Sequence, residues 1–191
     1  MSVLYPVNLV LDGRPVLLVG GGVIATQKGK ALAAAGARIH VVAPQISVEL
    51  AQVAAQISAR AFDVTRDLDG AHFVVAAAPL LVNEEVTKAA HQRGLFVLAV
   101  DQPAIASAQS PAVLRRGAIT VAISTQGAAP ALAGLLREAL EALLPDDDEA
   151  ERWLALANRA REAWRQTTLP HHRKRSLLLD TLVSLYMQEH T

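Results

Sequence analysis

Three glycines, Gly20, Gly21 and Gly22, close an apolar run, and a helical pattern begins at Val23. Gly20, Gly22 and Ala25 fit G-x-G-x-x-A. In that pattern the first glycine permits a tight turn and the second lets the backbone approach a pyrophosphate. The small third residue lets helix and strand pack closely. Helix N–H groups then face the phosphates. The same glycines also suit a bare strand-to-helix turn. Their place between an expected strand and an expected helix, early in an alternating pattern, favours a nucleotide. The acid that usually follows the second strand and holds a ribose 2′-OH is missing. Ala43, Pro44 and Gln45 stand there instead. Gln45 could hydrogen-bond a ribose, and Glu49 lies a turn later. Arg38 precedes the strand, so no Arg at its end favours a 2′-phosphate. NAD is expected over NADP.

Asp101 directly follows the apolar run 95–100. At the carboxyl end of a parallel strand it would lie on the edge where open α/β sheets bind ligands. A carboxylate there can take a proton from a substrate carbon or nitrogen. Asp before Gln102-Pro103 is equally a common turn former. Ser124 and Thr125 precede a helical stretch, where they could cap it or meet an anion. Arg115 and Arg116 are either surface charges or grips on a polycarboxylate. Asn83 is expected to cap or begin a helix. The tandem His171 and His172 lack the Cys or spaced His partners of a metal site. His40, His72, His91 and His190 are scattered and expected to be structural.

The elements that must position these residues alternate. Strands are expected at 15–20, 37–44, 57–62, 72–78 and 95–100, with helices at 23–35, 46–55 and 82–94. The strands are nearly continuous apolar runs, as in a parallel sheet covered on both faces. That is the doubly wound α/β class with a Rossmann-type sheet. After Pro103 the rhythm changes. Residues 111–125 suggest two antiparallel strands joined at Arg115-Arg116-Gly117. An amphipathic helix follows at 129–145, then a helical tail over 147–166 and 170–189. The expected domains are 1–110, which would bind NAD, a region at 111–145, and a helical domain at 146–191.

Composition sets the limits. The 191 residues are 52% hydrophobic, with no Cys and zero formal net charge. This is a globular composition, and thiolate chemistry is excluded. No apolar run approaches the roughly 20 residues of a membrane span. The N-terminus has no basic region before an apolar core, so no signal peptide is expected and a cytoplasmic location is. Charge is uneven: residues 151–175 carry seven basic residues against two acidic ones. Such a segment suits an anionic small molecule, nucleic acid, or simply solvent.

The stretch YPVNLVLDGRPVLLVGGGVIATQKGKALAAAGARIHVVAP resembles the dehydrogenase–chelatase module of the siroheme synthase family. So do VDQP, SPAVLRRGAITVAISTQGAAPALAGLLREALEALLP and the basic helical tail. The likeness runs in order through essentially the whole chain. It implies oxidation of precorrin-2 to sirohydrochlorin with NAD, and in some members insertion of Fe²⁺ to give siroheme. It implies a homodimer whose dimerisation region is 111–145. By that resemblance Asp101 is the catalytic acid–base residue. Gly20, Gly21, Gly22, Val23 and Ile24 form the nucleotide loop. Pro44 and Gln45 meet the adenosine side. Thr125 matches a Ser that can be phosphorylated in some members, and with Arg115 and Arg116 it is assigned to the tetrapyrrole substrate.

The chain departs from the family at Ala78-Pro79-Leu80, where Thr-Asp is usual after the fourth strand. It departs at Leu98, where Asn is common, and in lacking a Phe before Pro111-Ala112. These changes touch the pocket wall and bear on metal insertion more than on dehydrogenation. No methyltransferase domain is expected within these 191 residues. The competing expectations are a non-catalytic, regulatory NAD-binding module, which needs the glycines but not Asp101, and a nucleic-acid binder using the basic tail. Neither a nucleic-acid nor a membrane partner is expected.

Overall fold

A computed structural model describes residues 3–165 and 170–189. The chain divides into two compact units, Met1–Ser110 and Pro111–Thr191. In the first, five strands form one parallel sheet. They are β1 (Pro15–Val19), β2 (Arg38–Val42), β3 (Gln56–Ser58), β4 (Phe73–Ala76) and β5 (Val97–Ala99). Their order is β3-β2-β1-β4-β5. The chain therefore builds outward from β1 in one direction, returns, and builds outward in the other. The reversal lies between β1 and β4, where doubly wound folds open a crevice at the strands' carboxyl ends.

The apolar runs are continuous because both sheet faces are covered. Leu17, Val19, Val74 and Ala76 face one core with Val86, Ala89 and Ala90 of α3 (Leu80–Gln92). Val16, Leu18, Ile39, Val41 and Val75 face the other. That second core includes Ala25 and Leu32 of α1 (Val23–Ala34) and Leu50 of α2 (Val48–Val53). Alternate residues of one strand thus enter opposite cores, the period of two that a pleated strand imposes.

Several element ends differ from the sequence reading: α2, for one, is Val48–Val53 and not 46–55. The third strand occupies Gln56–Ser58 and not 57–62. Arg60 leaves the ladder to pair with Asp67, and Phe62 turns toward the core beneath β4. Helix α3 begins at Leu80, two residues early, because Pro79 at its N-cap holds φ −58° and needs no donor there. Asn83 is consequently inside the helix, buried, and neither caps nor begins it.

The second unit opens with an antiparallel pair, β6 (Ala112–Arg116) and β7 (Ile119–Ile123), with Arg115 opposite Thr120. Helices α4 (Pro130–Leu143), α5 (Asp147–Arg165) and α6 (His171–Glu189) follow. Pro130 opens α4, and Asp147, Asp148 and Glu149 give α5 an acidic first turn that complements its dipole. The side chains of His171 and His172, and all of His190, lie outside the described residues. No helix among the described residues is long and apolar enough to cross a membrane.

Candidate functional site

A pocket of about 820 Å³ opens at the carboxyl ends of β1, β2 and β4. Gly20, Gly21 and Gly22 form one wall and Pro44, Gln45 and Ser47 another. Residues 77–79 and Phe62 help complete it. The glycine types are set by close approach. Gly20 has φ +129°, and a Cβ there would stand 2.2 Å from the Ala77 carbonyl oxygen. A Cβ on Gly21 would stand 1.8 Å from the Gln45 carbonyl oxygen. No side chain fits at either position without moving backbone, so the chain passes here as a bare ribbon. A ribbon of this kind lets a pyrophosphate come up to main-chain N–H groups.

Several polar contacts fix the walls. The Ser47 N–H donates to the Gly21 carbonyl at 3.0 Å, tying the glycine turn to the segment after β2. The Ser47 and Thr26 hydroxyls are 2.7 Å apart. Asn83 Oδ1 accepts from the Ala78 N–H at 2.9 Å and so holds the loop after β4. On the far side, Arg60 binds both carboxylate oxygens of Asp67, and the Asp63 N–H adds a third hydrogen bond at 2.8 Å. The Arg60 guanidinium holds the Asp67 carboxyl below its ordinary range, chiefly through those hydrogen bonds. This clamp closes the 60–67 loop that carries Ala61 and Phe62 into the pocket. His40 Nε2 lies 2.9 Å from the Ser58 hydroxyl. Burial pushes His40 down, against the opposing pull of Asp67.

Of the residues singled out in the sequence, Gly20, Gly21, Gly22, Pro44 and Gln45 come together in this pocket. Val23 and Ile24 do not line it. Their side chains are exposed on the first turn of α1. Asp101 does not line it either. It follows β5 as an exposed residue with φ +59°, a left-handed conformation uncommon among residues other than glycine, though Asp adopts it more readily than most. Such strained positions are enriched at functional sites. Lys28 is its electrostatic neighbour. Burial pushes the Lys28 amine down while the Asp101 charge pulls it up, and its Nζ donates to the Ser110 hydroxyl at 3.0 Å.

The remaining candidates belong to the second unit. Arg116 Nη2 reaches Glu141 of α4 at 3.5 Å, so its charge is already engaged, whereas Arg115 is exposed. Thr125 Oγ1 accepts from the Ala129 N–H at 3.2 Å, and Ser124 Oγ from the Gln126 N–H at 3.1 Å. Both hydroxyls brace the turn into α4. No group of three or more potential metal ligands occurs among the described residues.

Sequence reasoning missed Thr26, Ser47, Lys28 and the Arg60–Asp67 pair, and gave Asn83 a capping role in place of its bond to the loop after β4. Ser47, three residues before Leu50, carried a helix-cap signal that placing the helix start at 46 obscured. Thr26 and Lys28 had no local signal, because Ser47 and Ser110 lie 21 and 82 residues away.

Comparison with known proteins accords with this geometry. Residues 7–112, more than half of the chain, match the family model described as putative NAD(P)-binding. Residues 116–143 match that of the sirohaem biosynthesis protein central region. Siroheme synthase 2 of Aeromonas hydrophila subsp. hydrophila is 42% identical over 173 residues, covering 83% of this chain and 37% of that protein. Siroheme synthase 2 of Aeromonas salmonicida is 46% identical over 142 residues, covering 73% and 30% respectively. The siroheme synthase of Pseudomonas aeruginosa is 43% identical over 141 residues, covering 71% and 30%. This chain therefore spans about a third of the length of these curated relatives. Among solved structures, SirC, a precorrin-2 dehydrogenase, superposes with a TM-score of 0.71 at 30% identity. The match covers 93% of this chain and 88% of that one.

Proposed function

The chain belongs to the siroheme synthase N-terminal module family, and on that premise we propose that it oxidises precorrin-2 to sirohydrochlorin with NAD⁺. What most supports the reading is the extent of the likeness to the precorrin-2 dehydrogenase SirC, which covers both units at 30% identity. The pocket chemistry agrees. Gly20, Gly21 and Gly22 offer bare backbone to a pyrophosphate, and Pro44 and Gln45 stand on the side assigned to adenosine. Bound there, the dinucleotide supplies a hydride acceptor.

The chain's own part is to bind, orient and move a proton. Losing two hydrogens from the macrocycle releases one as hydride and one as a proton. Asp101 is the proposed proton acceptor. Its fixed left-handed backbone sets the side-chain direction before substrate arrives. Arg115, exposed near the hairpin turn, is the proposed grip for a substrate carboxylate, with Arg116 and Thr125 as supports. In the same reading the protein acts in the cytoplasm as a homodimer. Metal insertion would use the macrocycle nitrogens as ligands and Asp101 again as base, with Fe²⁺ as substrate.

The test is anaerobic. The full chain is mixed with precorrin-2 and NAD⁺ without metal, and NADH and the macrocycle spectrum are followed together. NADH and sirohydrochlorin appearing in step are expected. Fe²⁺ added afterwards then tests insertion. Asp101→Asn should bind NAD⁺ as the native chain does yet lose at least about a hundredfold in turnover, the usual contribution of a positioned base. NAD⁺ binding without NADH formation in the native chain would favour the regulatory module.

A further inference from the structure

The acid usual after β2 is missing, and the Ser47 hydroxyl, bonded to that of Thr26, stands at the pocket wall beyond that strand. Thr26 Oγ1 lies 2.9 Å from the Gly22 carbonyl oxygen. A carbonyl oxygen has no proton, so at that distance the Thr26 proton must point to it. The Ser47–Thr26 hydrogen bond at 2.7 Å must then be donated by Ser47. Ser47 Oγ also accepts from the Leu50 N–H at 3.2 Å. The protons run one way, from Leu50 N–H through Ser47 and Thr26 to Gly22. Each hydroxyl has spent its only donor, and Ser47 retains a single free lone pair.

Ser47 lines the pocket beside Pro44 and Gln45, beyond the carboxyl end of β2. A doubly wound fold presents its ribose acceptor on this side. Resting on the NAD⁺ reading above, we propose that Ser47 is the specificity-determining residue for the adenosine ribose, acting as an obligate hydrogen-bond acceptor. With its proton committed to Thr26, it can receive a ribose hydroxyl but can give nothing to a 2′-phosphate. A lone pair set against a phosphate dianion is repulsive, so the device selects as much by rejection as by attraction. It performs the role of the absent carboxylate without placing a charge in a largely apolar pocket. Thr26 is a positioning residue: it touches no ligand and acts by fixing the Ser47 proton.

The experiment is equilibrium titration of the full chain with NAD⁺ and with NADP⁺. The native protein, Thr26→Val, Thr26→Ser and Ser47→Ala are compared. The native chain should bind NAD⁺ at least about tenfold more tightly than NADP⁺, which one good hydrogen bond suffices to produce. Thr26→Val removes the proton's destination, frees Ser47 to donate, and should lower that ratio at least threefold. Thr26→Ser keeps the relay and should keep the ratio. Ser47→Ala should lower the ratio too, through weaker NAD⁺ binding with NADP⁺ little changed. A general loosening of the fold would weaken both dinucleotides alike. An unchanged ratio in Thr26→Val or in Ser47→Ala overturns the proposal while leaving the NAD⁺ reading intact. A native chain that binds neither dinucleotide removes that reading and the proposal with it.

Discussion

Asp67 shows how one side chain ties stability, acidity and the pocket together. Its carboxylate is 1% exposed, and Arg60, the Asp63 N–H and the electrostatic influence of His40 all favour its charge. Its folded pKa is lowered, so its contribution is complete above the unfolded value of about 3.9. That contribution is lost as pH falls through the folded value. His40, facing Asp67, Arg60 and the Ser58 hydroxyl, is lowered as well, by burial. The unfolded chain then binds the extra proton first, so between the folded value and about 6.5 stability drops as pH drops. Both groups act in the same direction. Urea unfolding from pH 8 to 3 should show stability falling in two ranges. His40→Asn should flatten the upper range and Asp67→Asn the lower. Asp67→Asn should also cost about 2–3 kcal/mol at pH 7, the low end for breaking a buried pair, because Arg60 is partly solvated. An acid limb unaltered in Asp67→Asn would rule this account out.

At the scale of elements, the turn after β1 is the hinge between fold and site. Gly21 passes so close to the Gln45 carbonyl that any side chain would force the 45–47 segment away. Gly21→Ala should therefore weaken NAD⁺ binding more than tenfold and cost about 1–3 kcal/mol, as overpacking does. Titration and thermal unfolding of the same sample check both, and binding within twofold of native would contradict the close approach. This turn was legible in the sequence because its signal is local: a strand period, three glycines, a helix period. The parallel sheet was legible for a related reason, since strands buried on both faces lose their alternation. The end of β3 was not. Residues 57–61 alternate apolar and polar as a strand does, and it is a pairing seven residues on, Arg60 with Asp67, that takes the last of them off the ladder. Asn83 was misplaced because Pro79, not Asn83, sets the start of α3. The Ser47–Thr26 relay spans 21 residues and two helices, so no local pattern announces it.

At the scale of the molecule, the second unit is incomplete by itself. An isolated two-stranded sheet is marginal in water, and β6–β7 packs against α4 and α5. Helix α4 buries Ala133 but exposes Leu132, Leu135, Leu136 and Leu143, between 44% and 79%. An apolar stripe of that kind on a helix points to a protein partner. A second copy of this chain, as the family resemblance implies, is the proposed one. Sedimentation at micromolar concentration should give twice the chain mass of 20.3 kDa. Leu135→Glu places a charge in the stripe and should shift the mass toward a single chain. The residues lining the proposed NAD⁺ pocket all belong to the first unit, so NAD⁺ affinity should remain within about twofold in this variant. Precorrin-2 turnover should fall if the second unit's grip on substrate depends on the dimer. A native mass of one chain would refute the dimer. A monomeric variant that also loses NAD⁺ binding would show that association shapes the nucleotide pocket.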